Sequence, residues 1–373
     1  MMQVNGGPAM FQRGNPFTPR VRLPVSKPGN KTVTSPGDEA INPSFTFAWR
    51  LDPSTNVGRA MAAANQRLRN SSSETPRLDV EILLAFVLHT DRAGLYAHPE
   101  RSLSAAERSR FEELIERRRR HEPVAYIIGS RGFYGLDLLI TPQVLVPRPE
   151  TEVLVEHALL AIESLGARVP SAPVAGSRSN GSNGHGPGSF PPYAQFFGAS
   201  VLDNHILMAD VGTGSGAIAI SVARHHPRVM IYASDVSADA LSVAQKNAAS
   251  LQVAERVQFL SGSLLSPLPQ PVDIITANLP YVATADIPTL APDIANYEPR
   301  LALDGGPDGT QIIGQLLQQA PSYLRPGGVL LLEIGSDQGF RVATLARHAF
   351  PAAEINIIQD FAGLDRLVRV QCN

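Results

Sequence analysis

Ile206-Leu207-Met208-Ala209-Asp210-Val211-Gly212-Thr213-Gly214-Ser215-Gly216 is the stretch that decides the fold. Ile206 to Val211 reads as a strand, and Ala217 to His225 reads as the helix that follows it. The glycines between them let the backbone turn tightly and come close to a ligand at a helix N-terminus. The same rhythm repeats outward from this point. Val229 to Ala233 is a strand, Ser237 to Leu251 a helix, and Val257 to Leu260 and Val272 to Thr276 are the next strands. Val329 to Ile334 closes the main series, and two late strands, Ile355 to Ile358 and Leu367 to Val370, flank a helix ending near His348. Such alternation specifies an α/β fold with a mostly parallel, doubly wound sheet, whose ligands bind at the carboxyl ends of the strands.

Two groups of residues fall at such ends. The glycine loop alone is ambiguous, because Gly212, Gly214 and Ala217 also satisfy the dinucleotide pattern G-x-G-x-x-A. Asp210 favours another ligand, since a carboxylate so near the turn repels a pyrophosphate but receives the ammonium of an amino acid. A loop-capping carboxylate is the competing reading. Asp235, at the end of the second strand, is placed for ribose hydroxyls. Together with Thr213 and Gly216 in the loop, these residues describe a pocket for a nucleoside joined to an amino acid, which is S-adenosylmethionine. The second group, Asn278-Leu279-Pro280-Tyr281, follows the Val272 to Thr276 strand. The amide oxygen of Asn278 and the neighbouring carbonyl of Leu279 can accept both hydrogens of an NH2 group, while the Tyr281 ring covers its flat face. An Asn-X-Pro turn is also an ordinary chain reversal, so its meaning depends on the loop before it.

With these residues in place the chain resembles the PrmC/HemK family of protein-(glutamine-N5) methyltransferases. The resemblance runs from about Leu51 to the C-terminus. It rests on PRLDVEILL from Pro76, EPVAYIIG from Glu122, VLVPRPETE from Val144, DVGTGSGAIAI from Asp210, NLPY from Asn278 and EPRLALDGGPDG from Glu298. It implies a class I S-adenosylmethionine-dependent methyltransferase, Rossmann-like with the last strand antiparallel, preceded by a small helical domain. It further implies methyl transfer to the glutamine of the Gly-Gly-Gln motif in peptide chain release factors. Asn278, Leu279, Pro280 and Tyr281 are then the expected catalytic residues, and Arg148 and Glu298 are expected either to line the substrate channel or to brace its loops as an ion pair. Leu279 stands where the family has a second proline, which loses rigidity but keeps the carbonyl. After the third strand, Gly262-Ser263-Leu264 lacks the acidic residue that such enzymes often set beside adenine, and Ser263 and Leu264 are placed near the base.

The remaining chain divides by composition. Residues 1–50, rich in Pro and Gly, are expected to be a disordered tail. Residues 51–132 are expected to form a helical substrate-recognition domain, with helices at Val57 to Leu68, from Thr75-Pro76 with Leu78, Ile82, Leu83, Phe86 and Val87 buried, and from a Ser104/Glu107 capping box to about Arg120. Arg117 to His121 are expected as cations on a solvated last turn, with docking of an acidic partner as the alternative. Ala125 to Gly129 reads as strand, 133–146 as a linking hairpin, and Thr151 as the cap of a helix through Ile162. Residues 147–373 are the methyltransferase domain, carrying a flexible insertion at 168–205. Glu333 is expected to brace the pocket from within.

At 373 residues, 43% hydrophobic, 18% charged and with a net charge of -2, the chain has room for two domains and gives no general electrostatic reason to bind nucleic acid. Its single Cys372 excludes an intrachain disulfide. No apolar run spans a bilayer, and the cytoplasm is the expected compartment, with the mitochondrial matrix as the alternative because Arg13, Arg20, Arg22 and Lys27 precede any acidic residue. The nine His show no metal-ligand spacing, and a monomer is expected. Three rival functions remain. An adenine-N6 DNA methyltransferase would use the same clamp on a flipped base but needs a basic DNA-tracking face. A nicotinamide-dependent dehydrogenase has no use for Asn278 to Tyr281, and a non-catalytic binding module has no need of Asp210, Asp235 and Asn278 together.

Overall fold

The computed structural model describes residues 49–69, 75–166 and 205–373. The expected tail and insertion lie outside these residues, apart from Trp49, Arg50 and His205. Among the described residues no helix is long and apolar enough to cross a membrane.

The first helices bury one stripe each. In α1 (Val57–Arg69), Val57, Ala60, Ala64 and Leu68 recur at helical spacing and are buried. In α2 (Pro76–Val87) the inner face is Val80, Leu83 and Leu84, whereas Leu78 and Phe86, expected inside, are exposed. The shift has an electrostatic cause. Asp79 and Glu81 are drawn inward, Asp79 to Arg118 at 2.7 Å and Glu81 to Arg77, Arg92 and Tyr96. Thr75 does not cap the helix; its hydroxyl donates to Asp79 at 3.2 Å. A short α3 (Arg92–Ala97) leads to α4 (Ala105–Arg119), which carries the expected Ser104/Glu107 capping box and buries Phe111, Leu114 and Ile115.

The arginine run is solvated only in part: the Arg119 and Arg120 side chains stay exposed and Arg118 is buried. Arg117 pairs with Glu122 at 2.8 Å and Arg119 with Glu116 at 2.9 Å, while buried Arg118 lies between Asp79 and Asp293, the latter at 3.5 Å. Asp293 belongs to α9 (Pro292–Tyr297), whose Tyr297 hydroxyl also donates to the Arg120 carbonyl at 2.8 Å. The acidic partners of the run are therefore residues of this chain, chiefly Asp79, Glu116 and Glu122, with Asp293 of the later segment reaching Arg118.

Where Ala125 to Gly129 reads as strand, the structure has a helical turn, α5 (Val124–Ile128). Pro123 fixes its entry and Gly129, left-handed at φ +77, its exit. The hairpin is β1 (Ser130–Phe133) with β2 (Leu136–Leu139) rather than 133–146, and Val144 to Val146 form no strand; the Tyr126 hydroxyl donates to the Val144 carbonyl at 2.7 Å instead.

After α6 (Glu152–Gly166) come β3 (Ile206–Val211), α7 (Ala217–His225), β4 (Val229–Asp235), α8 (Ala238–Ser250), β5 (Val257–Ser261) and β6 (Val272–Ala277). Then follow α10 (Gln311–Tyr323), β7 (Leu324–Glu333), α11 (Gly339–Ala349), β8 (Glu354–Gln359) and β9 (Asp365–Gln371). Helix α11 precedes both late strands instead of lying between them. The sheet order is β5-β4-β3-β6-β7-β9-β8, parallel except for β9, which runs antiparallel to both neighbours. Alternation within β3 divides the core. Ile206 and Met208 pack beneath α6 and α7, and Leu207, Ala209 and Val211 face the layer that includes α10. The order reverses at β3, so a crevice opens between the carboxyl ends of β3 and β6.

Arg118→Ala leaves Asp79 buried without its cation. Breaking such a pair costs roughly 3–5 kcal/mol, and the denaturant midpoint is expected to fall accordingly, with little change in Arg110→Ala, whose partner Glu113 is solvent-exposed.

Candidate active site

The glycine loop is held from below. Asp210 shares the face of Met208, which α7 covers, so its side chain points under the helix start and not into the crevice. Its Oδ1 accepts from the Thr276 hydroxyl at 3.0 Å, and its Oδ2 accepts from the Thr213 hydroxyl at 2.7 Å and the Ala219 amide at 3.3 Å. It is 0% exposed, and burial pushes its carboxyl up to about 6. The expected direct contact with a ligand ammonium is thus corrected to the loop-capping alternative. Asp235 differs. It accepts from the Gly214 and Ser237 amides, both at 2.9 Å, yet stays partly exposed on the crevice wall with lone pairs to spare.

A cavity of about 270 Å³ fills the crevice. Gly212, Thr213, Gly214 and Asp235 form one side of it, Ser263 and Leu264 another, and Asn278, Leu279 and Pro280 a third. A Cβ at Gly214 would meet nothing within 4 Å, so the main chain itself faces open space there. Leu264 adopts φ +52, uncommon for leucine, with its carbonyl held by the Ser234 hydroxyl at 2.9 Å. Gly216 lies off the wall as the left-handed residue that starts α7.

Arg148 and Glu298 are also off the wall. One guanidinium nitrogen of Arg148 donates to both Glu298 oxygens at 2.7 Å, joining the loop before α6 to the loop after α9. The ion-pair reading, not the channel-lining one, describes them. Burial raises the Glu298 carboxyl despite the arginine beside it.

The loop after β6 is fixed by another backbone. Val282 donates to the Leu303 carbonyl at 3.0 Å, Gly305 to Val282 at 2.8 Å and Thr284 to Gly306 at 2.9 Å. A Cβ at Gly305 would lie 2.7 Å from the Pro280 carbonyl oxygen, and one at Gly309, at φ +74, would collide with the Tyr281 carbonyl oxygen. Gln338 completes the clamp, donating to the Tyr281 carbonyl at 2.9 Å. Tyr281 itself is set back behind the wall, packed on the apolar layer, and burial pushes its hydroxyl up to about 12.

The Asn278 amide has a defined direction. Its Nδ2 donates to the Thr151 hydroxyl at 3.2 Å. Thr151, expected to cap α6, is instead buried in the turn Pro149–Thr151, facing Asn278. Glu333, at the end of β7, is buried beside both, with the Thr151 hydroxyl and the Asn278 amide placed to hydrogen-bond to it; burial pushes its carboxyl up to about 7. Among the described residues no donor reaches Asn278 Oδ1 or the Leu279 carbonyl.

Sequence reasoning missed Thr151 in this setting, and it missed Gln338 and Asn247. Buried Asn247 accepts from the Leu139 amide at 2.7 Å and donates to the carbonyls of Leu139 and Ser215 at 3.0 and 2.9 Å, tying the hairpin to the glycine loop. Its only signal was a polar residue on the inner stripe of α8.

This sheet order, with the crevice beside β3 and an antiparallel final strand, defines a class I methyltransferase. Residues 59–129 match the family described as PrmC N-terminal domain and residues 197–296 the methyltransferase small domain. The release factor glutamine methyltransferase of Moorella thermoacetica is 40% identical over 83% of this chain and 95% of its own length. Those of Geobacter sulfurreducens, at 36% over 81% and 91%, and Caulobacter vibrioides, at 34% over 83% and 94%, are similar. The chain belongs to the release factor glutamine methyltransferase family.

Two glycines test the clamp. Gly309→Ala is expected to destabilise by more than about 1 kcal/mol, because alanine resists the left-handed conformation even before the clash. Gly314→Ala, inside α10 with nothing within 4 Å, is expected to stabilise by up to about 1 kcal/mol. Calorimetric melting points should move in opposite directions. Asp210 gives a pH test. Its folded-state value is raised above 3.8, so its contribution to stability is complete in acid and is lost as pH rises through about 6. The unfolding free energy of wild type minus that of Asp210→Asn is expected to shrink from about pH 4 to about pH 7.

Proposed function

We propose that the chain transfers a methyl group from S-adenosylmethionine to the side-chain amide nitrogen of the glutamine in the Gly-Gly-Gln motif of peptide chain release factors. The observation that carries this reading is the direction of Asn278. Its nitrogen is turned inward to Thr151 and its oxygen is left for a ligand, in the same cavity as the glycine loop and Asp235.

The cavity suits the donor. Gly214 leaves room for close approach to the main chain, Asp235 has acceptor capacity for ribose hydroxyls, and Ser263 with the apolar Leu264 flanks the place for a base. When bound, S-adenosylmethionine supplies an electrophilic methyl on a sulfonium. The protein's task is to present the nucleophile, because an amide lone pair is delocalised into its carbonyl. Asn278 Oδ1 and the Leu279 carbonyl accept the two amide hydrogens, which aims the nitrogen and stabilises the positive charge that develops on it. Leu279 keeps the carbonyl a proline would offer, and its side chain lies against Gly212. Tyr281 backs the loop with its ring, and the nitrogen's proton leaves after transfer.

The test is transfer of radiolabelled methyl to a purified release factor, with a Gln→Ala factor, DNA and the Asn278→Ala enzyme run alongside. Label is expected on the wild-type factor only, and Asn278→Ala is expected to lose on the order of 100-fold in rate. Label on DNA, or undiminished transfer by Asn278→Ala, rejects the assignment.

A further inference from the structure

The hydrogen-bond chain behind Asn278 has a direction, and its source lies outside the Asn278–Tyr281 loop. A side-chain amide is nearly symmetric in shape, so packing alone does not decide which end faces the cavity. Two neighbours decide it. The Thr151 oxygen, on the turn before α6, lies 3.2 Å from Asn278 Nδ2 and accepts from it. Having accepted there, Thr151 has one hydrogen to place, and the carboxylate of Glu333 at the end of β7 is the acceptor beside it. Glu333 Oε2 is fully buried with no hydrogen-bond partner within normal bonding distance, so it is an acceptor waiting for a donor. An acceptor so placed is costly to leave unpaired, and a carboxylate holds its donors more firmly than a neutral group.

We propose that Thr151 and Glu333 are positioning residues: the chain Asn278 Nδ2–H to Thr151 Oγ1, and Thr151 O–H to the Glu333 carboxylate, locks the amide so that Oδ1 alone faces the cavity. The inference rests on the glutamine-methylation reading of the site. With the amide reversed, an NH2 group would confront the substrate's NH2, donor against donor, and the nitrogen would not be held in line. Thr151 is 3% exposed and borders the cavity, while Glu333, also 3% exposed, lies behind it off the cavity wall, so the far end of the chain is shielded from water. The two residues come from elements far apart in sequence, and β7 lies beside β6 in the sheet, which is what brings Glu333 under the loop that β6 carries.

Polarity reversal provides the test, made on the full-length enzyme with release factor as substrate. Thr151→Val removes the link with little change in volume. It is expected to lower kcat on the order of 100-fold while leaving the KM for the factor and the calorimetric affinity for S-adenosylmethionine within about twofold; Thr151→Ser, which keeps the hydroxyl, recovers most of the rate. Asn278→Asp sets a carboxylate against Glu333 and is expected to be nearly inactive. Adding Glu333→Gln to it supplies a donor from the far end, reverses the chain and again leaves one acceptor oxygen facing the cavity, so the double variant is expected to gain at least about tenfold over Asn278→Asp. A wild-type kcat in Thr151→Val, or no gain from Glu333→Gln in the Asn278→Asp background, overturns the proposal. A wild-type enzyme without activity on the factor would bring down the functional reading itself, a result distinct from either of these.

Discussion

The structure depends on two stretches of main chain, 280–282 and 303–309, lying against each other with no room for a side chain between them. The loop after β6 has little regular structure of its own, and its Leu279 gives up the stiffness of a second proline. What holds it is a ladder of backbone hydrogen bonds to the glycine-rich segment, sealed by Gln338 on the Tyr281 carbonyl. Each bond contributes only about 1 kcal/mol net, yet together they remove the freedom that would let the two acceptors of the site drift apart. Glycine at 305 and 309 is required by this contact and not by flexibility.

Much of the fold was legible because buried parallel strands are nearly continuous apolar runs and the helices between them have clear periodicity. Ala217 to His225 and Ile206 to Val211 emerge with their expected bounds; β4, β5, β6 and β8 grow by a residue or two and β9 by three, while β7 starts at Leu324, where pairing precedes the apolar stretch, and ends at Glu333. The misreadings have separate origins. Leu78 and Phe86 were placed inside because apolar residues usually are, but Asp79 and Glu81 take the inner face once paired with arginines from elsewhere in the chain. The strand-like composition of Val124 to Ile128 yielded to the Pro and Gly that bracket it. Of the site, the residue types and their loops were readable, whereas directions were not: that Asp210 points under α7, that Arg148 is occupied by Glu298, and that Asn278 leans on Thr151 are facts of tertiary placement.

Charge is buried at each seam of the molecule. Arg118 joins the first helices to α9, Arg148 and Glu298 join the loops before α6 and after α9, and Asp210 joins the glycine loop to β6. Burying such groups is expensive and makes poor use of area compared with leucine. Their return is geometric, because a paired or fully hydrogen-bonded charge admits few alternative partners, and the elements that must meet at the crevice meet in one way.

Gly166, the last residue of α6, abuts Ile206, the first of β3. These two points sit at the amino end of the sheet, away from the crevice. Because the entropy of joining two fixed points grows only slowly with the length of chain between them, by about 0.6 kcal/mol per doubling, the number of residues between these anchors weighs little on the stability of the sheet. The same seam is a natural port for grafting a reporter or a tether into the enzyme.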